Sequence, residues 1–191
     1  MTDSPARAVQ LAGVVLAAGA GSRFGGAKAL ARTEDGEPWV ARAAGLLRAA
    51  GCGRVVVVLG ADADRAEPLV PAEAETVFAA RWADGISASL SAGLAALGSE
   101  TAALITLVDL PGLPLAVCGR VLAGGVAPGT LRRAVYRGAP GHPVLAGRDH
   151  WAGMAAAVTG DSGARDHLTA AGVERVECGD LFSGADVDRR P

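Results

Sequence analysis

Directly after its first apolar run, the 191-residue chain reads Leu16-Ala-Ala-Gly-Ala-Gly-Ser-Arg-Phe-Gly-Gly-Ala-Lys28. Glycine lets successive N–H groups turn toward one point and form an anion nest. Arg23 and Lys28 supply charge that can clamp a polyphosphate. Lys28 is the only lysine among 18 basic residues, and a compact ammonium suits a position between two phosphates. A second segment, Leu107-Val-Asp-Leu-Pro111, places an acid at the end of a buried apolar run. Facing the glycine loop, Asp109 can hold Mg²⁺, which favours one or two carboxylates together with phosphate oxygens and water. The same aspartate also suits a cap on the helix expected to start near Pro114, and Arg23 also suits a solvent-facing place beside the loop.

Two familiar phosphate templates do not fit. A Walker A loop needs G-x-x-x-x-G-K-[ST], but Ala27 separates Gly26 from Lys28, and Ala29 stands where a hydroxyl would hold magnesium. The Rossmann pattern G-x-G-x-x-G is half matched. Gly19 and Gly21 are present, Phe24 takes the third glycine's place, and the second strand ends Leu59-Gly60 without an acid for the ribose.

The elements that must position these residues alternate. Val9 to Ala18 reads as a strand, Pro38 to Ala50 as a helix, and Arg54 to Leu59 as a β-branched strand buried on both faces. A short helix around Asp62 to Leu69 and a strand near Thr76 to Ala79 follow. Ser87 to Leu97 reads as a small-residue helix lying close on the sheet, and Ala102 to Val108 as another buried strand. Leu113 to Gly124 is expected to be helical, with Pro114 in its first turn. Leu131 to Tyr136 and Pro143 to Ala146 suggest an antiparallel pair around the turn Arg137 to Gly141. Helices at Asp149 to Val158 and Ala164 to Ala171 and a strand at Val173 to Cys178 complete the order. These elements imply one doubly wound three-layer α/β/α domain over residues 1–191, its mostly parallel sheet interrupted by a hairpin insertion.

Composition narrows the function. With 18 basic and 20 acidic residues, the chain has no excess positive charge for a nucleic-acid backbone, and 4% aromatic residues disfavour base-stacking platforms. Cys52, Cys118 and Cys178 are too few and too widely spaced for a disulfide framework or a zinc site, so they read as buried thiols. No apolar run reaches the roughly 18 residues of a membrane helix, and the N-terminus lacks a signal-peptide pattern, which together suggest a cytoplasmic protein with no membrane partner.

The glycine loop with Val108-Asp-Leu-Pro111 resembles the MobA-like NTP transferase family. Gly85-Ile-Ser-Ala-Ser-Leu-Ser-Ala-Gly-Leu94, Gly141-His-Pro-Val144 and Gly160-Asp-Ser-Gly-Ala-Arg165 are similar to its molybdenum cofactor cytidylyltransferase branch. The resemblance implies a nucleotide-diphospho-sugar transferase-like fold and Mg²⁺-dependent transfer of CMP from CTP to a phosphorylated pterin, with release of pyrophosphate. It implies catalytic roles for Arg23, Lys28 and Asp109. It also implies contacts to base and ribose from Leu16, Ala17, Ala18, Gly19, Gly21, Ser87 and Ser89. His142 and the pair Asp161 and Arg165 would lie near the acceptor; His142 also suits a solvent-facing turn, and Asp161 with Arg165 equally suits a helix N-cap with an intrahelical ion pair. Asp186-Val-Asp188 resembles the branch's C-terminal Asp-x-Asp element and implies further metal ligands beside Asp109, although Arg189-Arg190-Pro191 departs from the usual continuation. Ala18 stands where guanylyl enzymes usually carry glycine, which favours CTP over GTP. A molybdoenzyme or its chaperone is the implied protein partner. His150 and His167 read as structural. Another nucleotide with another small phosphorylated acceptor remains an alternative, as does an NAD(P)H-dependent oxidoreductase of the nicotine-blue type, a name borne by some proteins with sequences of this kind.

Overall fold

The computed structural model describes residues 10–156 and 163–189. Strands β1 (Leu11–Ala17), β2 (Arg54–Leu59) and β4 (Ala102–Leu107) are the continuous apolar runs of the sequence and form the buried centre of a seven-stranded sheet. With β3 (Glu75–Phe78), β5 (Leu131–Tyr136), β6 (Ala139–Gly147) and β7 (Glu174–Glu177), the spatial order is β3-β2-β1-β4-β6-β5-β7. All neighbouring pairs are parallel except those made by β6, which is antiparallel to both β4 and β5. This is the expected doubly wound sheet with its hairpin insertion.

Side chains alternate between two cores, as the period of two in a strand requires. Val15, Ala17, Val55 and Val57 face helices α1 (Trp39–Ala49) and α4 (Leu115–Leu122), whose Val40, Leu47, Val117 and Cys118 are fully buried. Val14, Leu16, Val56 and Val58 face the opposite layer, formed by α3 (Ile86–Ala95), α5 (Arg148–Ala156) and α6 (Gly163–Ala170), which contributes Leu90, Leu94, Met154 and Leu168. Each such aliphatic side chain contributes about 1.5–3 kcal/mol on burial. Helix α3 does lie close on the sheet. A Cβ on Gly93 would sit 2.9 Å from both Val14 Cγ1 and Val58 Cγ2, so no side chain fits there. Among the described residues no helix is long and apolar enough to cross a membrane. The three cysteines are buried and unbridged, and burial pushes the Cys52 thiol up to about 12 and the Cys118 thiol up to about 11.

Two local expectations are corrected. The β5–β6 turn is two residues, Arg137 (φ 51°) and Gly138 (φ 79°), not the five from Arg137 to Gly141, and β6 starts at Ala139. Both central residues in the left-handed region match a type I′ hairpin. Pro140 is tolerated inside β6 because β4 pairs with that strand only from Val144 onward, leaving the proline's missing N–H on an open edge. The helix expected over Asp62 to Leu69 divides into α2 (Ala63–Ala66) and a 3-10 turn (Glu67–Leu69) containing Pro68.

After β7, residues 178–188 run back across the carboxyl ends of the strands. Arg120 holds Asp180 at 2.9 Å, Phe182 meets Tyr136 edge-on with ring centroids 5.7 Å apart, and Val187 N–H donates to the Asp109 carbonyl at 3.0 Å. A segment from the end of the chain thereby reaches the loops that follow β1 and β4.

Candidate active site

The chain leaves β1 toward β2 on one side and places β4 on the other, so the carboxyl ends of β1 and β4 form the switch point where open α/β sheets bind ligands. A cleft of about 480 Å³ opens there. Its lining includes Leu16, Ala17, Ala18, Gly19, Gly21, Arg23, Lys28, Ser89, Asp109 and Asp188.

The loop after β1 divides its backbone between two tasks. The Gly21 carbonyl accepts from the N–H groups of Phe24 and Gly25 at 2.9 Å and of Gly26 at 3.2 Å, which folds residues 21–26 into a compact turn. Gly21 has φ 58°, and a Cβ on it would lie 2.1 Å from the Gly26 carbonyl oxygen, so the turn requires glycine. Among the described residues, the N–H groups of Gly19, Ala20, Gly21 and Ser22 donate to no protein acceptor, and they border the cleft. Ala29, at the place of a Walker hydroxyl, is completely buried.

Lys28 and Asp109 meet across the switch point, with Nζ to Oδ2 at 2.8 Å and only 13% and 16% of the side chains exposed. Asp109 does not cap α4, whose N-terminal boundary is Pro114 with no side-chain cap. Lys28 Nζ also donates to Asp188 Oδ1 at 2.8 Å, and the exposed Arg23 reaches Asp188 Oδ2 at 3.2 Å. Burial works against the Lys28 ammonium, but its bonds to Asp109 and Asp188 outweigh that and raise it above the usual lysine range. The Lys28 hydrogen bond and charge hold the Asp188 carboxyl below the usual range.

Asp109, Asp186 and Asp188 each offer a carboxylate oxygen within 4.8 Å of the others. The second oxygen of Asp109, Oδ1, is buried and has no hydrogen-bond partner among the described residues. A buried acceptor of this kind calls for a cation or donor. Three carboxylates suit a hard divalent ion such as Mg²⁺ or Mn²⁺.

Not every expected residue lies in this cleft. Ser87 and His142 line an adjoining, smaller cavity of about 120 Å³ with Leu90, Ile105, Arg133 and Met154; the two cavities share Leu16 and Ile86. Burial, aided by the Arg133 charge, pushes the His142 imidazole down to about 4. Asp161 and its segment Gly160 to Ser162 fall outside the described residues, and Arg165 is placed only as part of α6. His150 and His167 stack edge-on with ring centroids 5.9 Å apart. Trp82, in the 3-10 turn Trp82–Asp84, forms a wall of the main cleft that the sequence reading missed. The available signal was Gly60. A Cβ there would lie 2.5 Å from Trp82 Cβ, so the glycine ending β2 makes room for the tryptophan.

A glycine cradle and a carboxylate cluster face each other at the switch point of this sheet, an arrangement chemically suited to a divalent ion and a polyphosphate. Residues 13–176 match the MobA-like NTP transferase domain, and the chain belongs to that family. It is 35% identical over 198 residues to the nicotine blue oxidoreductase of Paenarthrobacter nicotinovorans, covering 98% of this chain and 94% of that one. Rv0371c from Mycobacterium tuberculosis H37Rv has the same fold with a TM-score of 0.80 and 25% identity, covering 95% and 94% of the two chains, and its structure has also been solved in complex with manganese. A nucleotidyl transferase from Methanothermobacter shares the fold at a TM-score of 0.78 with 21% identity, covering 94% and 92%.

Proposed function

We propose that the chain transfers CMP from CTP to a small phosphorylated acceptor, a pterin of the molybdenum cofactor type. The observation that carries this reading is the row of undirected N–H groups from Gly19 to Ser22 beside the Lys28, Asp109 and Asp188 cluster. An acceptor phosphate oxygen attacks the α-phosphorus, a new P–O bond forms, and the bond from the α-phosphorus to the bridging oxygen breaks to release pyrophosphate. A phosphate monoester is already largely ionised at neutral pH, so positioning and charge neutralisation provide most of the catalysis. The loop N–H groups, Arg23 and Lys28 receive the β- and γ-phosphates. Asp109, with Asp186 and Asp188, would hold Mg²⁺, which supplies further neutralisation when bound. Ala18, buried against the cleft, carries the methyl group that favours cytosine over guanine. The acceptor enters beside His142 and Arg133, where the smaller cavity joins the cleft.

A second reading, NAD(P)H-dependent reduction, is favoured by the relative named for nicotine blue. Thermal unfolding with CTP, GTP, ATP or NADPH, each with and without Mg²⁺, separates the two, because a ligand that binds the native state raises its stability. The transferase reading expects the largest shift with CTP and Mg²⁺ together, and Ala18→Gly should move the preference toward GTP. A shift with NADPH alone, independent of Mg²⁺, replaces it with the reductase reading.

A further inference from the structure

The two side chains that the proposed reaction assigns to phosphate are bound to the carboxylates instead. Lys28 Nζ lies 2.8 Å from oxygens of both Asp109 and Asp188, and Arg23 lies 3.2 Å from the other Asp188 oxygen. Asp186 completes a cluster of three carboxylates against two cations. Such a group cannot stay unpaired in a cleft where Asp109 and Lys28 are mostly buried, because isolated charge is costly there. A divalent ion with a polyphosphate offers the same charges in a different pairing, with metal on carboxylate and ammonium on phosphate. Every charge then keeps a counterpart, and only the partners change.

The residue type suits the exchange. An ammonium on a four-carbon stem is a compact point charge with three rotatable donors, closer to a metal ion in size and symmetry than a planar guanidinium. Ala27 and Ala29 on either side of Lys28 are buried, which anchors the backbone on both sides of the four-carbon stem. This one position keeps lysine in a chain that otherwise uses arginine.

We propose, building on the metal-dependent nucleotide reading above, that Lys28 is a stand-in cation. In the absence of nucleotide its ammonium, helped by Arg23, holds the place of the divalent ion among Asp109, Asp186 and Asp188, and it passes to the polyphosphate as metal and nucleotide enter together. The metal alone is therefore a poor ligand, and the metal–nucleotide complex is the species the protein captures.

Mn²⁺ binding to the nucleotide-free protein, followed by the paramagnetic signal of free Mn²⁺, tests this without any turnover. Lys28→Met should bind Mn²⁺ about tenfold more tightly than the unaltered protein, as removal of one like charge a few ångströms away predicts. Lys28→Arg, which keeps the charge but not the compact shape, should bind Mn²⁺ less tightly than Lys28→Met. Lys28→Met binding no tighter than the unaltered protein overturns the proposal. If the tighter binding survives adding Asp109→Asn, the gained site is not this carboxylate cluster, and both the stand-in role and the metal assignment fall.

A second measurement needs no variant. Because Lys28 is the only lysine, ¹⁵N-lysine labelling gives one side-chain ammonium resonance. It should hold its position in millimolar Mg²⁺ and move when inorganic triphosphate joins the Mg²⁺. Movement to the same endpoint with Mg²⁺ alone, or no movement with both, contradicts the exchange.

Discussion

Lys28 and Asp109, 81 positions apart in sequence, form a 2.8 Å ion pair across the carboxyl ends of β1 and β4. The pairing puts the loop's only ammonium beside the strand-end acid in a single cleft. Lys28→Ala should cut pyrophosphate release by at least about a hundredfold, the usual cost of losing one preorganised electrostatic contact. Lys28→Arg should recover only part of this loss, because a planar fork cannot fill the space of a point charge. Near-normal turnover of the alanine variant in a coupled pyrophosphate assay would remove Lys28 from the mechanism.

Asp109 and Asp188 share Lys28 but differ in surroundings. Asp109 is 16% exposed and keeps one buried oxygen without a partner among the described residues, whereas the Asp188 side chain is 43% exposed and lies on the tail. Asp109→Asn should therefore lower turnover by about a hundredfold or more and raise the Mg²⁺ concentration needed for half-maximal rate, while Asp188→Asn should cost distinctly less. Rates measured across a Mg²⁺ series give both quantities. Equal losses, or a greater loss for Asp188→Asn, would show that the tail rather than the strand end supplies the main ligand.

Much of this geometry was legible in the residues. Continuous apolar runs marked the buried parallel strands, and an acid closing the run Ala102 to Val108 had to emerge at a carboxyl end. A single lysine in an arginine-rich chain pointed to a special position. Other features depend on contacts far apart in sequence. Asp186 and Asp188 reach the site because Arg120, Tyr136 and the Asp109 carbonyl guide the tail across the sheet, and no local spacing encodes that path. The bonds from Lys28 and Arg23 to carboxylates were equally hidden, since the sequence shows which groups are charged but not which neighbours satisfy them. Trp82 escaped because its fit depends on the absence of a Cβ on Gly60.

Two glycines in the same loop should respond differently to alanine. Gly19 has open space within 4 Å of its would-be Cβ and an ordinary backbone, so Gly19→Ala should leave the melting temperature nearly unchanged. Its new methyl group would nevertheless occupy the cleft wall beside the free N–H row and should weaken nucleotide binding by about tenfold, the effect of about 1.4 kcal/mol. Gly21→Ala meets both a positive φ and the Gly26 carbonyl at 2.1 Å, so it should lower both stability and binding, with about 1–3 kcal/mol lost in folding. Calorimetric unfolding paired with nucleotide titration checks the contrast, which fails if the two variants lose stability alike.

His142 supplies a pH signature. Burial and the Arg133 charge hold its imidazole at about 4 in the folded protein, below the ordinary value of about 6.5. Between those values the unfolded chain takes up a proton that the native state refuses, so stability falls as the pH drops from about 6.5 toward 4. The carboxylates of Asp188 and Glu100 are instead held below their usual range, and their contribution is lost only in more acidic solution. The two windows can therefore be separated. Chemical unfolding at about pH 7 and about pH 5 should show a loss of about 1–2 kcal/mol for the unaltered protein, and a smaller loss for His142→Gln, which has no ring to titrate. Turnover should show no inflection near 6.5 from this residue, since the imidazole is neutral throughout that range. An equal loss of stability in both proteins would mean that His142 accepts its proton as readily when folded as when unfolded.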